Sequence, residues 1–313
     1  MKIVGIIGGS GFIGSHTTKK FLEEGYKVKA SVTDISKTEK YDHLKSLSNA
    51  ENLEIVPLNV ENKGQLKEFV HGCNIIVHGG TPFQLEVEDP KKELFDPTIE
   101  GTKNFLEVLN ETPNIEKVVF IASVAAYNTN FPMPPTGLKP DETIDENDTP
   151  FTSEESHPYA QAKFIANQTV EKYIKEHPDI DFEITSVSPV AVMGKSLSNR
   201  EDSTSSGLQF LFKNKMAPNP FIQMIYDTNA EFAVVDVKDV AKGIFSASIK
   251  KGIHGKNYLL SSESWKVSDI SAMLNSEKPK GDASIVYKND AAKRELEIEF
   301  NPAVVPLTEF NLK

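Results

Sequence analysis

A cluster of four glycines near the start of the chain constrains the fold more than any other sequence feature. The apolar run Lys2–Ile7 leads into Gly8-Gly9-Ser10-Gly11-Phe12-Ile13-Gly14, and a helical pattern follows over Phe12–Glu24, ended by Gly25. A strand, a glycine-rich turn and a helix in this order are typical of a dinucleotide-binding βαβ unit. Glycines allow the tight turn and let a pyrophosphate approach the N–H groups at the positive end of the helix. We therefore predict cofactor contacts at Gly8, Ser10, Gly11, Phe12, Ile13 and Gly14, the alternative being a purely structural turn.

Strand-like and helical patterns alternate through the first half of the chain. The strand-like runs are short, rich in valine and isoleucine, and apolar on both faces where they are longest, as buried parallel strands require. Strands are predicted at Lys2–Ile7, Val28–Val32, Leu53–Leu58, Ile75–Val77, Val118–Ala122 and Glu183–Val187, and helices at Phe12–Glu24, Lys63–His71, Pro97–Glu111 and Tyr159–His177. This alternation predicts the α/β class, with a doubly wound parallel Rossmann sheet.

In the second half of the chain, strand-like and helical patterns alternate less regularly. Residues 193–216 look loop-like and polar, whereas Phe232–Ala241 is again an apolar strand and the start of a helix. We predict a dinucleotide-binding domain over residues 1–187, to which residues 233–249 fold back. Most of residues 188–313 would then form a smaller C-terminal lobe that covers the substrate.

Charge and cysteine content narrow the function classes. The formal net charge is -11, which disfavours nucleic acid as a partner because a basic surface is needed to displace counterions from phosphates. Cys73 is the single cysteine and opens an apolar stretch, so a buried structural thiol is expected. The longest apolar stretch is too short to span a bilayer, and the N-terminus resembles no secretory signal. We expect a cytoplasmic protein, a monomer or homodimer, with a small-molecule substrate and no membrane partner.

The end of the second predicted strand bears on which dinucleotide would bind. Asp34 lies 20 positions after Gly14, near the spacing of a carboxylate that binds the ribose hydroxyls of NAD. Lys37 and Lys40 follow, and a basic partner suits the 2′-phosphate of NADP. Asp34 is equally well explained as a cap for the next turn. The residues favour NADP(H) slightly and leave NAD(H) open.

A tyrosine and a lysine stand four apart in Tyr159-Ala160-Gln161-Ala162-Lys163, which places both on one face of a predicted helix. An ammonium near a phenol favours the phenolate and is expected to lower the pKa of Tyr159 toward neutrality. Ser123 follows the fifth predicted strand, at the carboxyl edge where ligands bind such sheets. Its hydroxyl would stabilise developing negative charge on a carbonyl oxygen. The alternative is an ordinary helix face. His157 is expected to be structural, and no metal-ligand spacing occurs.

Together these residues resemble the extended short-chain dehydrogenase/reductases, also called the NAD-dependent epimerase/dehydratase family. The branch that it resembles most contains dihydroflavonol reductases, cinnamoyl-CoA reductases and bacterial aldehyde and ketone reductases. The resemblance covers nearly the whole chain and rests on the glycine motif, on Ser123, Tyr159 and Lys163, on residues 81–102 and on the segment Val235–Ala241. The arginine typical of NADP-dependent members is replaced by Thr33, while Lys40 matches a second phosphate-binding position.

The resemblance also implies contacts beyond the two motifs. Its further cofactor contacts fall on Thr33, Asp34, Lys40, Asn59, Val60, Gly80, Tyr159, Lys163, Pro189 and Val192. Substrate contacts are implied at Phe83, Tyr127, Asn128 and Phe131. Met193 is a further pocket candidate, and core packing is the alternative explanation for the apolar members of this group.

The expected reaction is hydride transfer between a nicotinamide cofactor and an aldehyde or ketone. Ser123 would polarise the carbonyl, Tyr159 would donate the proton, and Lys163 would lower the pKa of Tyr159 and orient the ribose. Two other functions stay open. One is a nucleotide-sugar epimerase or dehydratase with tightly held NAD, although Val32 stands where epimerases carry their ribose-binding acid. The other is an NADP(H)-binding redox sensor without catalysis.

Overall fold

The computed structural model describes residues 1–79, 89–139, 142–198 and 203–311. The strands in these ranges are β1 (Ile3–Ile7), β2 (Lys27–Val32), β3 (Leu53–Pro57), β4 (Ile75–His78), β5 (Lys117–Ile121), β6 (Glu183–Pro189), β7 (Ala191–Met193), β8 (Glu231–Asp236), β9 (Asn257–Leu260) and β10 (Glu263–Lys266). The α-helices are α1 (Phe12–Glu23), α2 (Asp42–Lys45), α3 (Lys63–Val70), α4 (Asp96–Asn110), α5 (Pro158–Glu176), α6 (Thr204–Asn214), α7 (Pro220–Asp227), α8 (Val237–Ile249), α9 (Val267–Leu274) and α10 (Val304–Glu309).

The main sheet has seven strands in the order β3-β2-β1-β4-β5-β6-β9, and every neighbouring pair is parallel. Strand order reverses between β1 and β4, which opens a crevice at the carboxyl ends of these strands. The predicted doubly wound α/β sheet is therefore confirmed. The six strands predicted from apolar runs all occur, with ends shifted by at most two residues.

Both faces of the main sheet are covered by helices. Helices α1 and α8 pack against each other on one face, and α3, α4 and α5 pack side by side on the other. In β1, Val4 and Ile6 belong to the first of these cores and Ile7 belongs to the second, and each is at most 2% exposed. Burial on both faces explains why these strands are continuously apolar.

A second sheet of three strands, β10-β8-β7, lies beside the main one, with β7 parallel and β10 antiparallel to β8. It shares a separate core with helices α6, α7, α9 and α10. Of residues 233–249, helix α8 packs against α1 on the main sheet, whereas β8 pairs within this second sheet. Strand β9 also lies in the main sheet, although its residues fall in the segment predicted as mostly a substrate-covering lobe.

The predicted loop over residues 193–216 was wrong, because Thr204–Asn214 forms helix α6. Its start resembles a polar loop, yet Ser203 is the N-cap, and its hydroxyl accepts a hydrogen bond from the Ser206 amide. Leu208, Leu211 and Phe212 then follow at helical spacing and pack into the third core. Within the described ranges, no helix is both long and apolar enough to cross a bilayer.

Candidate active site

The glycine turn joins β1 to α1 with geometry that side chains would obstruct. Gly8 has a φ of +80°, a region that favours glycine. A Cβ atom at Gly14 would lie 2.0 Å from the carbonyl oxygen of Gly8. Gly11 is the N-cap of α1 and provides no side-chain cap, so the positive end of the helix faces the turn. This cradle fits the diphosphate of a dinucleotide. Of its other predicted contacts, Ser10 lies in the turn, and Phe12 and Ile13 begin α1.

The end of β2 is organised around two hydroxyl-bearing residues. The buried Ser31 hydroxyl accepts a hydrogen bond from the amide of Gly8 at 2.9 Å and ties β2 to the glycine turn. The carboxylate of Asp34 accepts hydrogen bonds from the amide and the hydroxyl of Ser36, at 2.9 and 2.6 Å. These bonds, with a smaller contribution from Lys37, lower the pKa of Asp34. Asp34 thus caps a turn, as the structural alternative in the sequence analysis proposed.

The other predicted cofactor residues are spread along the carboxyl edge. Thr33 is exposed and Lys40 ends a 3-10 turn, Thr38–Lys40. Asn59 follows β3, and its side-chain oxygen accepts the amide of Glu61. The remaining members of this group lie as follows: Val60 in the wall of a cavity, Pro189 at the end of β6, and Val192 in β7. Gly80 and the predicted substrate residue Phe83 lie outside the described residues.

Ser123 occupies the position after β5 at which its hydroxyl can act as a donor. Its backbone is extended, and its Oγ accepts a hydrogen bond from the amide of Ala125 at 3.2 Å, capping the 3-10 turn Val124–Ala126. Because a serine hydroxyl is both donor and acceptor, this cap leaves its proton for another acceptor. Helix α5, which carries Tyr159 and Lys163, packs directly against this turn.

Tyr159 and Lys163 lie one turn apart near the start of α5. The Lys163 Nζ atom is 5.9 Å from the centroid of the Tyr159 ring, and Lys163 is only 8% exposed. Burial lowers the pKa of Lys163 to about 8 and raises the pKa of Tyr159 to about 12. The expectation that Lys163 brings the pKa of Tyr159 below its ordinary value was therefore wrong for this structure, because loss of hydration dominates.

His78, which the sequence analysis did not single out, lies near Lys163. It ends β4 and lines, together with Lys163 and Asn167, a cavity of about 130 Å³ between the sheet and helices α4 and α5. Its ring centroid is 4.5 Å from that of Phe105 and 5.3 Å from that of Phe120. Burial, and then the Lys163 ammonium, lower the pKa of His78 to about 4, so the imidazole is neutral at physiological pH. Its place at the carboxyl end of a central strand is the sequence signal that would have found it.

The predicted substrate residues differ in how far they are buried. Phe131 is half-buried and packs edge-on against Phe232 and Tyr287. Tyr127 is 7% exposed, and its hydroxyl donates to the carbonyl oxygen of Asn257 at 2.9 Å. Met193 is fully buried in the third core, as the packing alternative proposed.

Asn128 is also buried, and its side chain is bonded to other groups of the protein. It is 0% exposed, and its amide nitrogen donates to the Met133 carbonyl at 2.9 Å and to the Tyr287 hydroxyl at 2.8 Å. Its side-chain oxygen accepts the amide of Asn130. Both amide hydrogens are used, so Asn128 could donate a hydrogen bond to a substrate only if one of these bonds broke.

His157 has a local structural contact. Its Nδ1 atom accepts a hydrogen bond from the amide of Tyr159 at 3.2 Å, which caps α5. Burial lowers its pKa. In the part of the chain that the structure describes, no group of three or more histidine, cysteine or acidic residues is arranged to hold a metal ion.

The doubly wound sheet, the glycine cradle and the Tyr-x-x-x-Lys helix define a Rossmann dinucleotide-binding protein. Residues 4–260 match the NAD dependent epimerase/dehydratase family, and the chain belongs to this family. Among curated relatives, the chain is 30% identical over 262 residues to cinnamoyl-CoA reductase CAD2 of Medicago truncatula, covering 82% of this chain and 76% of that protein. It is 27% identical over 281 residues to anthocyanidin reductase of Arabidopsis thaliana, covering 88% and 80%.

Solved structures with the same fold cover nearly the whole chain. Gre2 from Candida albicans, in a complex with NADPH, superimposes with a TM-score of 0.80 at 24% identity, covering 99% of this chain and 97% of that one. UDP-glucose 4-epimerase from Bifidobacterium longum, in complex with NAD+ and UDP, has a TM-score of 0.76 at 16% identity, covering 99% and 97%. The yeast methylglyoxal/isovaleraldehyde reductase Gre2 has the same fold, with a TM-score of 0.78 at 21% identity. The fold is therefore shared by a reductase and an epimerase, and it does not by itself separate the two activities.

Proposed function

We propose that this chain is an NADP(H)-dependent reductase of aldehydes or ketones, reversible to alcohol oxidation. The observation that carries the proposal is the pair of half-buried Tyr159 and buried Lys163, held by α5 against the Ser123 turn at the carboxyl edge of the sheet. Its relatives named cinnamoyl-CoA reductase and anthocyanidin reductase support a reductase rather than an epimerase.

NADP(H) is proposed as the preferred cofactor, with NAD(H) as the weaker one. One oxygen of Asp34, Oδ1, accepts both hydrogen bonds from Ser36, so this carboxylate serves at least in part as a turn cap. The buried Val32 at the end of β2 supplies no carboxylate. Two Gre2 structures that share this fold are NADPH complexes, which favours the same choice.

The bound cofactor supplies the hydride that reduces the carbonyl carbon. The Ser123 hydroxyl donates a hydrogen bond to the carbonyl oxygen as negative charge develops there. Tyr159, whose high pKa keeps it protonated at neutral pH, transfers its phenolic proton to that oxygen. The Lys163 ammonium donates hydrogen bonds to the ribose and stabilises the phenolate that the transfer leaves.

The substrate-binding side of the site is proposed from fewer residues. Phe131 offers a half-buried aromatic surface, whereas the polar groups of Tyr127 and Asn128 already have partners within the protein. We therefore propose that recognition near this turn is mainly apolar, as for an aliphatic or aromatic carbonyl compound.

A panel of aldehydes and ketones, assayed with NADPH and with NADH by the absorbance of the reduced nicotinamide, tests the proposal. Turnover that is faster with NADPH is expected. Purified protein that carries stoichiometric NAD, and that reduces no carbonyl, would indicate the epimerase or dehydratase alternative. Tight NADP(H) binding without turnover of any carbonyl would indicate the redox-sensor alternative.

A further inference from the structure

A buried hydrogen-bond bridge joins the segment that follows the 3-10 turn Val124–Ala126 to the segment that leads into α5. The Ser156 hydroxyl lies 2.7 Å from the side-chain oxygen of Asn130 and 2.8 Å from the Thr129 hydroxyl. Ser156 is 6% exposed and Thr129 is 2% exposed. Ser156 has one hydroxyl proton, which it donates to Asn130, because an amide oxygen can only accept. Thr129 is therefore the donor in its 2.8 Å bond with Ser156, and this contact is much shorter than the 3.4 Å that separates its hydroxyl from the competing Phe151 carbonyl.

Each end of the bridge continues into one part of the site. On one side, Thr129 and Asn130 follow the 3-10 turn that Ser123 caps, and the Thr129 amide donates to the carbonyl of Phe151 at 3.1 Å. On the other side, the Ser156 carbonyl accepts a hydrogen bond from the Gln161 side chain at 2.6 Å, on the first turn of α5. The Thr129 hydroxyl also accepts the amide of Ser153 at 3.1 Å.

The covalent connection between these two parts is long and irregular. From the end of the turn Val124–Ala126 to the start of α5, the described residues form only isolated bridges and turns, such as the pairing of Asn128 with Phe151. A segment of this length leaves the relative position of its ends to non-covalent contacts. The buried hydroxyls of Thr129 and Ser156 provide such contacts, away from competing water.

We propose that Thr129 and Ser156 are positioning residues that hold the start of α5, and with it Tyr159, in register with Ser123. This inference rests on the proposed reductase function, since it assigns the bridge a role in the proton transfer from Tyr159. Both hydroxyls are bonded to other groups of the protein. Both act through the placement of the donor groups, for which a displacement of about 1 Å can cost on the order of a hundredfold in rate.

Comparing Thr129→Val with Thr129→Ser separates the effect of the hydroxyl from the effect of side-chain shape. Valine keeps the shape and removes the donor to Ser156, whereas serine keeps the donor. We expect Thr129→Val to lower kcat for carbonyl reduction by about ten- to a hundredfold, with the KM for NADPH unchanged. Thr129→Ser should keep most of the activity. Ser248→Ala removes a comparably buried hydroxyl, bonded to the Ile244 carbonyl in α8, and serves as a control that should leave kcat unchanged.

Hydrogen exchange supplies a readout that does not need activity. Peptides that cover residues 153–163 should exchange faster in Thr129→Val than in the wild type, and should be unchanged in Thr129→Ser and Ser248→Ala. If exchange is the same in all four proteins, the bridge does not hold the start of α5 and the inference is overturned, whether or not the protein reduces carbonyls.

The two hypotheses fail in different ways. A wild-type protein that reduces no carbonyl compound would refute the proposed function through the wild-type assay alone, while exchange still tests the bridge. An active wild type whose kcat is unaffected by Thr129→Val would overturn the positioning role. A loss of kcat that is equal in Thr129→Ser and Thr129→Val would overturn it as well, because the hydroxyl would then be irrelevant.

Discussion

Lys163 and Tyr159 share one face of α5, with the lysine Nζ 5.9 Å from the centroid of the tyrosine ring, and both are largely removed from water. Burial disfavours the charged form of each group, so the pKa of Tyr159 rises to about 12 and the pKa of Lys163 falls to about 8. In this state the phenol is a proton donor at neutral pH, which suits carbonyl reduction better than alcohol oxidation.

The lowered pKa of Lys163 predicts the pH dependence of reduction. The ammonium is needed to hold the ribose and to stabilise the phenolate, and it loses its proton as the pH rises through about 8. We expect kcat/KM for carbonyl reduction to fall on the alkaline side of this value. Tyr159 should contribute no alkaline limb until much higher pH. A profile measured from about pH 6 to about pH 10 checks this, and activity that is constant across the range would contradict it.

Replacement of Lys163 by methionine should stabilise the cofactor-free protein while it abolishes turnover. The pKa of Lys163 is lower in the folded state, from an ordinary 10.5 to about 8, so the unfolded chain binds the proton more tightly. At pH values below the folded-state pKa, this difference lowers the free energy of unfolding by about 3 kcal/mol. The loss of stability disappears as the pH rises toward the pKa of the unfolded state.

Denaturant titrations of the wild type and of Lys163→Met, at about pH 7 and about pH 10, test this cost. The methionine variant should be the more stable protein at the lower pH, and the difference should shrink at the higher pH. A variant that is less stable at the lower pH would show that the buried ammonium is not a net cost.

Gly14→Ala should damage the nucleotide site because its Cβ would lie 2.0 Å from the Gly8 carbonyl oxygen. The backbone must shift, at a cost of about 1–3 kcal/mol in the free energy of unfolding, and NADPH affinity should fall. Gly207→Ala in α6 is the matched control, because no atom lies within 4 Å of its added Cβ. That variant should gain about 0.5–1 kcal/mol from helix propensity. Thermal unfolding and NADPH titration of both would measure the contrast, and a Gly14→Ala protein with normal stability and affinity would refute the assignment of the turn.

Lys40→Ala tests the proposed preference for a 2′-phosphate. The KM for NADPH should rise about tenfold or more, since a charged hydrogen bond would be lost, while the KM for NADH should change little. Lys37→Ala is the control, because the Nζ of Lys37 lies 3.7 Å from the Asp34 carboxylate. Equal losses with both cofactors would remove Lys40 from phosphate recognition.

Much of the fold could be predicted because its determinants are local. The strands buried on both faces are continuous apolar runs, and the glycine turn needs its particular residues wherever it occurs. Strand β9 was not predicted because Asn257–Leu260 is short, and its partner in the sheet, β6, is distant in sequence. Helix α6 was not predicted because its serine-rich first turn masks the apolar spacing that follows.

The sequence predicts on which helix or strand each site residue lies. It does not predict which other side chains that residue contacts. The spacing of Tyr159 and Lys163 fixes their common face, but the balance between burial and charge that sets their pKa values depends on the whole fold. Tyr127 and Asn128 follow Ser123 closely, yet their partners Asn257 and Tyr287 are far away in sequence. No local pattern could show that these side chains have partners inside the protein.

The variant Tyr159→Phe, assayed for NADPH oxidation with a carbonyl compound that the wild type reduces, tests the central claim most directly. We predict a loss of turnover of about a hundredfold or more, with unchanged affinity for NADPH, because only the phenolic proton is removed. A phenylalanine variant that turns over at the wild-type rate would contradict the assignment of Tyr159 as the proton donor.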